Sequence, residues 1–187
     1  MTEQPPRHAP ARATSRASSL VLVNTGDGKG KTTAALGTAL RAAGRGLRVC
    51  VVQFLKSPSW KTGEAKAGRD LGIDWWTLGD GFTWDSKDIE KSKAAAVDAW
   101  GAAREKIGGG DYDLVVLDEL TYPVTWGWIS ENDVVGALDA RPVHTSVIIT
   151  GRDASPGLVA VADTVTEMTK TKHAFDSGVA ALKGIDF

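Results

Sequence analysis

Three observations predict an α/β fold, a mostly parallel β-sheet flanked by helices. Short apolar, β-branched runs alternate with helix-like segments along the chain, the pattern required by a sheet covered on both faces. A glycine-rich run at residues 25–33, Thr-Gly-Asp-Gly-Lys-Gly-Lys-Thr-Thr, joins the first apolar run to the first helical one. Another apolar run, Leu114-Val115-Val116-Leu117, ends in the carboxylates Asp118 and Glu119.

In chain order, strands are expected at residues 20–24, 48–54, 73–77, 114–117, 146–150 and 164–167. The first helix follows the glycine-rich run from Lys31 to about Ala43 and stops at Gly44-Arg45-Gly46, a C-terminal glycine signal. A second spans 86–107, with Asp85 as its cap and Gly108-Gly109-Gly110 as its stop. Ser130 with Asp133 opens a third, and Ser155 followed by Pro156 opens a fourth, since proline is tolerated at the first helical position. Residues 56–69 and 79–85 are read as the loops that carry ligand contacts. Trp75 and Trp76 fall within a strand, so one of the pair faces the core.

A chain of 187 residues, 42% hydrophobic, with no low-complexity joint in its middle, is expected to form one domain at residues 20–187. Residues 1–19 are rich in Pro, Ala, Ser and Arg and read as a disordered leader, with a transit peptide as the alternative. Lys+Arg 22 against Asp+Glu 23 leaves no global field to draw the protein to nucleic acid or an acidic membrane. The single cysteine, Cys50, sits in an apolar run and reads as a buried thiol, which excludes disulfides and a cysteine-based metal site. No stretch is apolar enough to span a bilayer or to serve as a secretory signal, so a cytoplasmic location is expected. His8, His144 and His173 are too scattered to form a metal cluster and are read as solvated or locally hydrogen-bonded.

The run at 25–33 is a phosphate-binding loop. A polyphosphate needs close approach by several backbone N–H groups and a helix N-terminus aimed at it. Gly26, Gly28 and Gly30 remove side chains from the turn, Lys31 supplies a point charge, and the Thr32 hydroxyl is placed to ligate Mg²⁺. The usual pattern would put a glycine where this chain has Thr25, so the loop is a variant. Thr25, Gly26, Asp27, Gly28, Lys29, Gly30, Lys31, Thr32 and Thr33 are together the candidate nucleotide-binding residues. The strand ending in Asp118-Glu119 is Walker-B-like and offers either carboxylate to nucleotide-bound Mg²⁺.

Beyond these motifs, GDGKGKTTAA at 26–35, VVQF at 51–54 followed by Lys56, Gly63-Glu64, Gly81-Phe82-Thr83-Trp84, LDELTY at 117–122, Arg141-Pro142, VIITGR at 147–152, ADTV at 162–165, and residues 172–176 with Gly184-Ile185 occur in order. In these the chain resembles the phosphate-loop class of ATP:corrinoid adenosyltransferases. Trp60, Trp126 and Trp128 suggest the branch working in cobalamin biosynthesis. The resemblance implies a phosphate-loop (RecA-like) nucleotide-binding fold. It also implies a reaction in which Co(I) of a corrinoid, cob(I)yrinic acid a,c-diamide or cob(I)alamin, attacks C5′ of ATP and triphosphate leaves. Lys31, the loop amides and Mg²⁺ (or Mn²⁺) would stabilise the leaving triphosphate. Glu119 is the metal ligand by match to the family, with Asp118 a second candidate or helper. Phe82 and Trp84 would occupy the lower face of the corrin and exclude its axial ligand, which eases reduction of Co(II) to Co(I).

The resemblance further implies a flavin-type reductase as electron source and a homodimer. Some members carry a longer N-terminal segment that folds over the active site; here residues 1–24 precede the loop, and the role of Asp27 is open. The rival reading is a phosphate-loop kinase or ATPase, in which Glu119 would orient or deprotonate a nucleophile. A guanine-reading Asn/Thr-Lys-x-Asp motif and the Asp-x-His-x-x-Gly motif of histidine-ligating corrinoid carriers are both missing from the sequence.

Overall fold

The runs at 49–53 and 114–118 are apolar at consecutive positions, as a strand buried on both faces must be. The computed structural model describes residues 15–81 and 89–186, and in it both runs are strands without an exposed residue. Six strands, β1 Val21–Thr25, β2 Val49–Gln53, β3 Asp74–Thr77, β4 Leu114–Asp118, β5 Ser146–Thr150 and β6 Thr164–Glu167, form one sheet in the order β3-β2-β4-β5-β1-β6. Every pairing is parallel.

All six expected strands are present, with ends moved by a residue or so. Helix α1 (Lys31–Ala43) has the expected bounds, and its C-terminal turn is closed by Gly44, whose N–H bonds Leu40 O at 2.9 Å. The expected loop at 56–69 is corrected: it contains α2 (Gly63–Asp70). Two glycines in eight residues and no large apolar side chain hide that helix from a propensity reading. Gly68 is nonetheless required, because a Cβ there would lie 2.6 Å from the Trp75 ring. Helix α3 is described over Ile89–Gly108 and ends one residue beyond the expected 107; its expected start at 86 and the Asp85 cap lie outside the described residues. A short α4 (Thr121–Thr125), not foreseen, follows β4, while α5 (Glu131–Asp139) and α6 (Pro156–Val161) begin after Ser130 and Ser155 as expected.

Alternate strand residues divide the core. Val21, Val23, Val115, Leu117, Val147 and Ile149 pack with Trp100 and Ile107 of α3, Val134 and Leu138 of α5, and Leu158 of α6. Val49, Val51, Val116 and Ile148 meet Ala35, Ala39 and Ala42 of α1 and Ala65 of α2. Burying each aliphatic side chain contributes about 1.5–3 kcal/mol. The small alanines bring α1 close to the sheet, which sets its N-terminus against the ends of the central strands. Cys50 is fully buried, and burial pushes its thiol up to about 12. Trp75 is buried, whereas Trp76 is on the outer side with the Lys106 ammonium 4.5 Å from its ring centroid. No described helix is long and apolar enough to cross a membrane.

The register aligns polar residues at the C-terminal strand ends, where open parallel sheets bind ligands. Gln53 pairs with both Thr77 and Asp118, and Asn24 pairs with both Thr150 and Thr166. Leu117 opposite Ile149 sets Asp118 beside Thr150 and closes the row across the sheet.

Candidate active site

The loop leaves β1 at Gly26 (φ 91°) and enters α1 at Gly30 (φ 116°), two left-handed positions that favour glycine. A Cβ at Gly26 would lie 2.5 Å from Met168 O, and one at Gly28 2.7 Å from both Met168 O and Thr169 O. The chain after β6 therefore buttresses the loop, and Gly28 N donates to Met168 O at 2.6 Å while Met168 N donates to Thr25 O at 2.8 Å. Gly30 caps α1 without a side-chain hydrogen bond, and the first turn carries no acidic residue. Its amides and the positive end of the helix dipole are left for an anion.

Lys31 folds back so that Nζ donates to Gly26 O and Gly28 O, each at 2.7 Å. Burial, then the nearby Arg152, lowers its pKa from the ordinary lysine value. Thr25 is buried with its hydroxyl accepting from Ala154 N at 3.1 Å, so the residue that departs from the usual motif fastens the loop to the β5–α6 connection. Asp27 pairs with Arg152 at 3.5 Å, and Lys29 with Asp186 near the C-terminus.

Beneath the loop, Asp118 is completely buried and accepts four hydrogen bonds. Thr32 Oγ1 (2.8 Å) and Thr150 Oγ1 (2.9 Å) donate to one oxygen, Gln53 Nε2 (3.0 Å) and Lys56 Nζ (2.7 Å) to the other. Burial alone would raise its pKa, but Lys56 and the other donors hold the carboxyl below the usual range. Gln53 Oε1 accepts from Trp75 Nε1 (3.0 Å) and Thr77 Oγ1 (3.1 Å), extending the network to the sheet edge.

Glu119 differs in every respect. Its backbone is left-handed (φ 67°), a conformation non-glycine residues adopt at a cost and most often at functional sites. Thr150 Oγ1 accepts from its N–H at 2.9 Å. Its side chain keeps 29% of its surface, against none for Asp118, and lies 3.9 Å from Lys56 Nζ. Burial and the neighbouring Asp118 push its carboxyl up to about 7. Thr32 and Glu119 are both oxygen donors suited to a hard cation that takes its remaining ligands from phosphate and water. The fit is to a substrate-completed site: no three His, Cys, Asp or Glu among the described residues form a cage of their own.

The loop, Glu119 and α1 open onto a cleft of about 700 Å³. Lys29 to Thr33, Lys56, Glu64 and Glu119 supply its polar and charged lining, and Leu36, Leu40, Ala67, Leu71, Ile73 and Trp75 its apolar lining. Such a mixed lining suits a ligand that combines an anionic chain with a flat or apolar body. Phe82 and Trp84 lie outside the described residues; the chain before them ends at Gly81, whose N–H donates to Leu55 O at 3.1 Å, next to Lys56. Trp126 makes tilted ring contacts with Tyr122 (centroids 5.5 Å apart) and Trp128 (4.8 Å). His144 Nε2 meets Gly110 O at 3.1 Å, and His173 Nδ1 accepts from Phe175 N at 3.1 Å, both local contacts.

Sequence reasoning passed over Gln53, Lys56, Thr150, Arg152 and Asp186 as site residues. For the first three a signal existed: polar residues at, or just beyond, the ends of runs otherwise apolar throughout.

A family model described as ATP:corrinoid adenosyltransferase BtuR/CobO/CobP matches residues 17–187. Corrinoid adenosyltransferase CobA of Salmonella typhimurium is 45% identical over 168 residues, which are 90% of this chain and 85% of that protein. The corrinoid adenosyltransferase of Escherichia coli is 45% identical over the same shares. That of Pseudomonas aeruginosa is 41% identical over 90% of this chain and 83% of its own length.

Proposed function

This chain belongs to the ATP:corrinoid adenosyltransferase family and transfers the adenosyl group of ATP to a corrinoid; from that premise we propose how its residues divide the work. The triphosphate of ATP lies along residues 25–33, on the uncapped N-terminus of α1. The observation that carries this is Lys31: among the described residues its ammonium is hydrogen-bonded to two carbonyls of its own loop, contacts that phosphate oxygens can replace. Thr32 and Glu119 would hold Mg²⁺ (or Mn²⁺), which when bound supplies positive charge to the phosphates. Glu119 rather than Asp118 is the carboxylate ligand, a reading supported by the four donors that already occupy both oxygens of Asp118.

Co(I) donates its electron pair to C5′, the cobalt–carbon bond forms, and the C5′–O bond breaks with its electrons passing to the triphosphate. Lys31 and the loop amides stabilise that charge as it develops. Phe82 and Trp84 displace the lower corrin ligand so that a flavin-type reductase can deliver the electron. The corrinoid is cob(I)yrinic acid a,c-diamide or cob(I)alamin, and the enzyme works as a cytoplasmic homodimer.

The test supplies ATP, Mg²⁺ and chemically reduced cobalamin and identifies the products. Triphosphate with a light-sensitive adenosyl corrinoid is expected; ADP with a phosphorylated acceptor, or ADP and orthophosphate, would overturn the proposal. For the aromatic pair, Phe82→Ala and Trp84→Ala should cripple adenosylation from cob(II)alamin with a weak reductant. They should spare much of it when cob(I)alamin is supplied. Equal loss in both assays, with a lower melting temperature, returns the two rings to packing.

A further inference from the structure

The chain after β6 starts and finishes against the phosphate loop. It starts at Met168, bonded to Thr25 and Gly28. It finishes in a turn at residues 182–186 with Asp186 N donating to Leu182 O at 2.8 Å and Gly184 left-handed at φ 81°. That turn orients one side chain. Asp186 Oδ2 accepts from Leu182 N at 2.7 Å, which leaves Oδ1 to pair with Lys29 Nζ in the middle of the loop. Gly184, Ile185 and Asp186 line the cleft together with Leu40 of α1 and Leu71 of α2. Ile185, Leu40 and Leu71 are 72%, 53% and 54% exposed, three aliphatic residues from separate elements around one opening.

We propose that residues 182–186 are a wall of the ATP site, and that Asp186 is a positioning residue which holds the Lys29 ammonium at the mouth of the cleft. The inference rests on ATP occupying the loop as described above. An exposed lysine otherwise samples many rotamers, and fixing it costs side-chain entropy at the moment of binding. A carboxylate held by its own turn meets that cost before ATP arrives, and places a cation where the nucleotide enters. The pair is exposed and exchangeable, so the strap can part for the nucleotide and close behind it.

Calorimetry of MgATP binding, without corrinoid, on wild type, Lys31→Ala, Asp186→Asn and Asp186→Glu tests this. Asparagine still accepts from Leu182 N and preserves the turn while losing the ion pair. Asp186→Asn should raise the ATP Kd about three- to fivefold at low salt. The difference should shrink at high salt as screening removes the pair from wild type. Asp186→Glu should recover part of the loss, kcat at saturating ATP should stay within about twofold, and the melting temperature should not move. In wild type, ATP should slow hydrogen exchange across residues 178–186. If Lys31→Ala weakens ATP but Asp186→Asn does not, the wall and positioning role fall while the loop reading stands. If Lys31→Ala leaves Kd unchanged, the loop reading falls and this proposal with it.

Discussion

Beneath the phosphate loop Asp118 is wholly buried and accepts four hydrogen bonds, whereas beside the loop Asp186 serves its own turn and one exposed lysine. Both are aspartates within reach of loop side chains, yet their surroundings give them opposite uses. A buried carboxylate with every lone pair engaged has no freedom left to meet a ligand; it fixes Thr32, Lys56 and Thr150 where they are. An exposed one with a single long partner can exchange that partner. Glu119 lies between the two, anchored at its backbone by Thr150 and open at its carboxylate.

The strongest way to break this comparison is Asp118→Asn. In either orientation the new NH₂ meets donors, and Lys56 loses the countercharge at 2.7 Å. The expected loss of stability is about 3 kcal/mol or more, read by denaturant unfolding. Unchanged stability would mean that the row is no scaffold. Lys31→Ala should leave the fold intact and lower turnover by over two orders of magnitude, which corresponds to about 3 kcal/mol of leaving-group stabilisation. Wild-type turnover would remove Lys31 from the mechanism.

Glu119→Gln should keep the melting temperature while raising the half-saturating Mg²⁺ concentration by on the order of tenfold. If Asp118→Asn shifts metal dependence and Glu119→Gln does not, the roles assigned to the two are reversed. Away from the charges, Gly68→Val drives a side chain into the Trp75 ring and should cost about 1–3 kcal/mol. The smallest effect is expected at Asp74, at the start of β3. Burial raises its pKa, but hydrogen bonds from Trp76 and Tyr112 with the Lys106 charge prevail and hold it low. A depressed folded pKa contributes stability above the unfolded value that is lost as pH falls through the folded one. Asp74→Asn should therefore flatten the acid limb of a stability–pH curve by less than about 1 kcal/mol.

Much of this was readable beforehand, and the parts that were not share a cause. The six strands and α1 follow from apolar runs and from glycines at a cap and a stop, signals carried by neighbouring residues. Helix α2 depends on contact between Gly68 and Trp75, and α4 contains Pro123 in a five-residue span, so their order comes from tertiary packing. The loop and the Asp-Glu pair were legible as chemistry, and the family resemblance put the metal on Glu119 with Asp118 as second candidate, but the cage of four donors around Asp118 was not legible. It depends on Gln53 and Thr150, which register brings alongside from other strands. Thr25 was visible as a departure from a motif and as a nucleotide-binding candidate, but its bond from Ala154 N, which fastens the loop, was not. Lys29 and Asp186 stand at opposite ends of the chain, and no local pattern pairs them.

The sheet order also sets a timetable for synthesis. Among the described strands the loop-bearing β1 leaves the ribosome first, yet its two neighbours, β5 and β6, are made after the other four. Until they emerge, both edges of β1 are bare and the carbonyl of Met168 that braces Gly28 does not exist. Long-range parallel pairing of this kind folds slowly and exposes unpaired edges meanwhile. A nascent chain cannot brace its nucleotide loop before β5, β6 and Met168 have emerged.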